Sequence, residues 1–211
     1  MTDVASTVKR QTTERLSRQE QQQRTRLTIL DAAIDLFIER GIEATTIEDV
    51  VAAAGFTRGA FYSNFESKDD LFLQTTRYFF DDVLFADASN LEAGDAAAAG
   101  RKTYDRVRQV IDNKASLFIA EASLYAYRHP ATREEFIALH EGQLAHTIGW
   151  IEAALDTYGI TKPALPPRTL ANITQAVTFG LHLKELLDPS VNSADALAGL
   201  LALVLQAQTK R

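Results

Sequence analysis

The chain has 211 residues, a net charge of −6 and no cysteine, which excludes disulfides, thiolate catalysis and cysteine-ligated zinc. Apolar residues make up 46% of it, enough to bury the core of one large domain or of a small one joined to a larger one. No apolar run reaches the ~18 residues of a membrane span, and the N-terminus carries no apolar signal core, so a cytoplasmic protein with no membrane partner is expected.

Charge is unevenly spread. Residues 1–30 hold six cations and three anions, whereas residues 31–211 hold 16 cations and 25 anions. A basic end can hold phosphate locally while an acidic body discourages indiscriminate sticking to nucleic acid.

Residues 1–16 are polar and aperiodic, and read as a flexible arm. Ser17 followed by Glu20 fits a capping box, so a helix starts there. It carries Leu30, Ala33, Ile34 and Phe37 at helical spacing and stops at Gly41. Thr45 or Thr46 caps a second helix with Ile47, Val50, Val51 and Ala54 on its apolar face, and Gly55 ends it. Thr57 caps a short third helix through about Asn64. Ser67 caps a fourth, with Asp69 and Asp70 in the first turn where anions suit the helix dipole, running to about Phe85.

The small-residue stretch 88–100 reads as a connector. Helices are then predicted over about 100–112, 114–128, 132–158, 168–187 and 193–208, with "ITKPALPP" (160–167) as a loop. His129-Pro130 and Asp188-Pro189 close two of them. No run alternates as a strand would, so the fold class is all-α. The divisions are a flexible basic arm at 1–22, a compact helical module at 23–83 and a larger helical body at 84–211.

Gly55 lies in a turn too short for two antiparallel neighbours, so the second and third helices cross steeply, as in a helix-turn-helix. In that motif the second helix enters the DNA major groove with its N-terminal residues at the base edges. Phe61 and Phe65 would anchor the third helix from behind. Its other side shows Arg58, Gly59, Ala60, Tyr62, Ser63 and Asn64. Arginine to guanine is the commonest specific contact, and Ala60 suits a thymine methyl. Tyr62, Ser63 and Lys68 can donate to phosphates, and the helix starts at Thr45, Thr46 and Thr57 offer backbone N–H groups or hydroxyls. The same pattern also fits a plain three-helix bundle, in which Tyr62 is a half-buried ring and Lys68 a solvated cation.

The run "ILDAAIDLFIERGIEATTIEDVVAAAGFTRGAFYSNFESKDDLF" (29–72) closely resembles the DNA-binding module of the TetR family of bacterial transcriptional regulators. The G-x-x-x-T-T opening, the A-A-A-G turn, the G-A-F-Y of the third helix and the F-x-S-K-x-x-L continuation stand in order and in register. Ser63 and Asn64 stand where that family often has an aromatic residue or a histidine. The resemblance implies a homodimer presenting two recognition helices to a palindromic operator. Thr46, Thr57, Arg58, Gly59, Ala60, Tyr62, Ser63 and Lys68 fall on positions the family uses at DNA. The basic stretch 18–26 is either an added DNA-contacting arm or a solvated tail.

The resemblance also implies that the body binds a small molecule and dimerises through its last two helices. The sequence adds support for dimerisation. Leu197, Leu200, Leu201, Val204 and Leu205 form a wide apolar stripe, and Leu170, Ile173, Val177 and Leu181 form another. For a pocket, Gln143, His146 and Trp150 make a mixed face on the long helix, which Phe118, Glu121, Tyr125, Phe179 and His182 could complete. Each of these also fits an ordinary core or surface role. "HEGQLAH" (140–146) places its histidines six apart, about 600° around a helix, so they cannot share a metal as the zinc-protease pattern requires. The sequence carries no catalytic constellation, metal site or cofactor motif, and what the resemblance implies is a ligand-responsive DNA-binding repressor released by a small molecule. A regulator without an effector, and a helical protein-interaction adaptor, are the alternatives.

Overall fold

The computed structural model describes residues 17–83 and 113–200, all of whose regular elements are helical. The elements are α1 (Arg18–Arg40), α2 (Ile47–Ala54), α3 (Arg58–Tyr62), α4 (Lys68–Tyr78) with a π-helical turn over Phe79–Val83, α5 (Asn113–Arg128), α6 (Pro130–Thr157), α7 (Pro167–Leu187) and α8 (193–200). The arm at 1–16, the connector at 88–100, the helix over 100–112 and the residues after 200 lie outside the described residues. So do Leu201, Val204 and Leu205.

Helix starts follow local side-chain chemistry. Ser17 and Glu20 close a reciprocal capping box on α1, which holds the Glu20 carboxyl below its usual range through the Ser17 backbone and hydroxyl. Thr46 and Asp49 form a second box on α2. Thr57 and Ser67 each accept from the backbone N–H three residues on, at 3.4 and 3.0 Å.

Gly41 ends α1 at φ 82°, ψ 153°, a region open to glycine and costly for any other residue. A Cβ there would also meet the Glu121 carboxylate at 3.0 Å. Gly41→Ala is therefore expected to destabilise the chain by about 1–3 kcal/mol from backbone strain alone, read as a lower urea midpoint. An unchanged midpoint would show that the turn relaxes freely.

One core cluster joins both parts of the fold. Ile29, Leu30 and Phe37 of α1, Val50 of α2, Phe61 of α3 and Phe72 of α4 are buried with Phe118 and Tyr125 of α5 and Phe136 of α6. A second cluster packs Leu144, Ile151 and Leu155 of α6 against Leu170 and Ala171 of α7. Across the α6–α7 contact, Gln175 donates to Thr147 Oγ1 at 2.9 Å, and Arg168 bonds Glu141 at 2.7 Å.

The sequence predicts one unbroken fourth helix to about Phe85, but its regular turns stop at Tyr78. A π-turn takes over there, and its first two residues, Phe79 and Phe80, are both 3% exposed. Phe79 packs on Phe118 with centroids 4.5 Å apart, and Phe80 lies 6.3 Å from His140. Gln143 Nε2 donates to the Phe80 carbonyl at 3.3 Å, giving the irregular turn a side-chain partner.

The two apolar stripes expected at a dimer interface divide. Leu170 is 6% and Leu197 2% exposed within one chain, so both are already covered by its own packing. Ile173 is exposed, and Val177, Leu181 and Leu200 are half-buried.

Candidate nucleic-acid interface

The α2–turn–α3 unit is built on one buried ring and one left-handed residue. Gly55 at φ 73° is the α2 C-cap, turning the chain within three residues into the Thr57 cap. Phe61 is fully buried, tilted against Phe65 at 5.4 Å and edge-on to Tyr62 at 5.2 Å. A five-residue helix has almost no stability of its own, so these two rings hold α3 in place. They fix which side faces out, and that side carries Arg58, Gly59 and Tyr62, with Ala60 half-buried at its edge.

Arg58 is held from two directions. Its Nη1 lies 3.0 Å from Glu48 Oε1 of α2, and its Nη2 donates to the Tyr62 hydroxyl at 3.4 Å. The guanidinium carbon sits 5.7 Å over the Tyr62 ring. The Tyr62 hydrogen bond, then the Glu48 charge, raise its already high pKa, so Arg58 is a permanent cation. Gly59 has room to spare: a Cβ would meet only Thr57 Oγ1, at 3.7 Å. The fold does not require glycine there.

Several expected DNA contacts have other work. Thr45 is 1% exposed, and its hydroxyl donates to the Gly41 carbonyl at 2.8 Å. It is a turn residue with no surface to offer DNA, and of the two threonines only Thr46 is the outward-facing cap. Lys68 donates its ammonium to the Glu43 carbonyl at 3.0 Å and lies 5.8 Å over the Tyr125 ring. Burial lowers its pKa. Lys68 is thus a strut between α4, the α1–α2 turn and α5 rather than a free phosphate donor. Asn64 folds back on α3, its Nδ2 donating to the Ala60 carbonyl at 2.8 Å. Ser63 Oγ likewise donates to Gly59, at 2.9 Å, but stays exposed.

Two features were missed by sequence reasoning. Glu48 is the partner of Arg58; an acid on the outer side of α2, opposite Val50 and Val51, was a readable signal for it. Gln22 reaches from α1 to the Ser63 carbonyl at 3.3 Å. With Gln19, Gln23 and Arg26 it walls one side of a shallow polar groove whose other side is Ser63 and Asn64. No spacing in the sequence could place α1 beside the end of α3.

The expected pocket residues have varied surroundings among the described residues. Tyr125, 4% exposed, donates to Asp69 Oδ1 at 2.6 Å and stacks on His129 at 4.0 Å. Burial, then the Asp69 bond, push its phenol pKa well up, so it stays protonated. His129 in turn lies 2.9 Å from Glu43, whose carboxyl this bond holds below its usual range. Tyr125, with Glu121 beside Gly41, therefore joins the helical body to the α1–α4 module. Phe118 is fully buried in the shared core, and Trp150 packs on the second cluster. Gln143 serves the Phe80 carbonyl, His182 is buried, Phe179 is half-buried and His146 is exposed.

Residues 29–75 match the family described as bacterial regulatory proteins, tetR family. Over 58 residues the chain is 43% identical to the HTH-type transcriptional repressor KstR2 of Rhodococcus jostii, covering 28% of each. It is 47% identical over 58 residues to the HTH-type transcriptional regulator AcrR of Shigella flexneri, covering 28% of this chain and 26% of that one. These matches span only about a quarter of the relatives' length. Likeness of fold extends much further. A transcriptional regulator from Rhodococcus sp. Rha1 superposes with a TM-score of 0.71 at 22% identity, over 86% of this chain and 96% of its own. GusR of Salmonella enterica does so at 0.70 and 20% identity, over 87% and 96%. Residues 29–75 thus form a module of the bacterial regulatory proteins, tetR family, set in a chain whose fold is shared with solved structures along most of its length.

Proposed function

We propose that the chain is a DNA-binding transcriptional regulator, a repressor that occupies a palindromic operator as a homodimer and leaves it on binding a small molecule. The observation that carries the DNA part is the outward face of α3. A permanent cation, a glycine with open space and a tyrosine hydroxyl stand together on a helix anchored from behind by Phe61 and Phe65. Arg58 reads guanine, Ala60 meets a neighbouring base, and Tyr62, Thr46 and Thr57 hold the phosphates. Dimerisation rests on the half-buried and exposed apolar residues Ile173, Val177, Leu181 and Leu200, and on Leu187, which is 89% exposed.

Release follows if a ligand shifts α4, because the two recognition helices of a dimer must stay about 34–36 Å apart to enter successive major grooves. A regulator with no effector is the second reading. It is favoured by Phe118 and Tyr125 serving the internal junction instead of facing a common space.

Selection of duplexes from a random pool by the protein tests the DNA part, with an inverted repeat as the expected result. Arg58→Ala should weaken binding to the selected site by about 10- to 100-fold and relax the base preference at one position of each half-site. Unchanged affinity in a folded variant would remove Arg58 from the reader and favour the interaction adaptor. Operator affinity unaltered by every compound of a metabolite panel would favour the reading without effector.

A further inference from the structure

We infer that Glu48 is a specificity-determining residue, which aims Arg58 at base edges and cancels its attraction for phosphate. The inference rests on the DNA-reading proposal and adds a second residue to it. Glu48 stands in the first turn of α2, Arg58 at the first position of α3, and their side chains are 59% and 64% exposed with Nη1 and Oε1 3.0 Å apart. So exposed a pair adds little to stability. Placed on the face turned toward a polyanion, the carboxylate also works against binding DNA in general. What it supplies is geometry.

The guanidinium has five N–H donors. One nitrogen is engaged by Glu48 and the other by the Tyr62 hydroxyl, with the ring of Tyr62 beneath. Three donors remain, enough for the two-pronged contact to guanine O6 and N7, and the plane is already set. Phosphate attraction depends on net charge, which the pair nearly cancels. Base reading depends on hydrogen-bond direction, which the pair preserves. An arginine freed from Glu48 would keep its donors, lose its aim and gain a full charge for any phosphate within reach.

The test titrates wild type, Glu48→Gln and Glu48→Ala against two duplexes, one selected from a random pool by the wild-type protein and one with the same composition in scrambled order. Salt is varied over roughly 50–200 mM. Both variants are expected to bind the scrambled duplex more tightly. Their ratio of selected to scrambled affinity should fall about tenfold, and the salt slope should steepen by about one. In an Arg58→Ala background the same substitutions should leave the ratio within about twofold, since no guanidinium remains to aim. A ratio and slope equal to wild type in both variants overturns the inference, as does a tenfold fall that persists without Arg58. A wild-type protein that selects no sequence overturns the DNA-reading proposal and this inference with it. One that selects a site while Glu48→Gln keeps its ratio overturns the role of Glu48 alone.

Discussion

Phe61→Ala is expected to lower stability by about 3–5 kcal/mol. The side chain is fully buried and meets two rings, Phe65 and Tyr62, at 5.4 and 5.2 Å. Removing it deletes the contact that fixes α3, a helix of five residues with no capacity to persist alone. A typical domain has only about 5–15 kcal/mol in total, so the loss is a large part of the whole. Urea unfolding followed by circular dichroism gives the shift. Specific DNA binding should fall further than in Arg58→Ala, because every residue of the outward face loses its place at once. A folded Phe61→Ala protein that binds its site as wild type does would mean that α3 is held by something other than its anchor.

Phe72→Ala should cost a similar ~3–5 kcal/mol, with a different signature. Phe72 is fully buried where three helices meet, with Tyr125 of α5 at 4.8 Å and Phe136 of α6 at 6.0 Å. It joins the α1–α4 module to the body instead of holding the reader. Trp150, the only tryptophan, lies on α6 beside the second core cluster and reports on the body alone. In the wild type its fluorescence and the circular dichroism of all the helices should unfold together, since one core spans both parts. In Phe72→Ala the two curves should separate. Coincident curves would show that the module and body stay coupled without that ring.

The helix starts were legible because capping is local: Ser17 with Glu20, Thr46 with Asp49, Thr57 and Ser67 each act within three residues of their own position. The α2–turn–α3 crossing was legible for the same reason, through Gly55. Thr45 and Thr46 mark the limit. Two adjacent threonines offer the same cap, and only packing turns one into the core at 1% exposure while the other stays outside. Long-range contacts were not legible. His129 and Glu43 are 86 residues apart, Tyr125 and Asp69 are 56, and no periodicity relates them. The neighbours of the pocket candidates were illegible on the same account. A helical wheel shows which residues share a face of α5 or α6, not which neighbour that face meets. Tyr125 looked like an aromatic wall and is a protonated phenol bonded to the helix that supports the reader.

The π-turn at Phe79–Val83 has a consequence for how such a chain can be altered. A π-turn holds one residue more than an α-turn, and here it follows directly on the regular turns of Lys68–Tyr78. Its five residues advance the backbone by nearly the same angle as four residues of regular winding, so the turn absorbs the extra residue where it stands. Deleting one residue within Phe79–Val83 would restore regular winding with little rotation, and the loss would fall on the turn's own partners, Gln143 at the Phe80 carbonyl and Phe118 against Phe79. One residue is spare there for length and phase but not for contacts, so chimeras that graft this module onto another body must keep the partners of that turn.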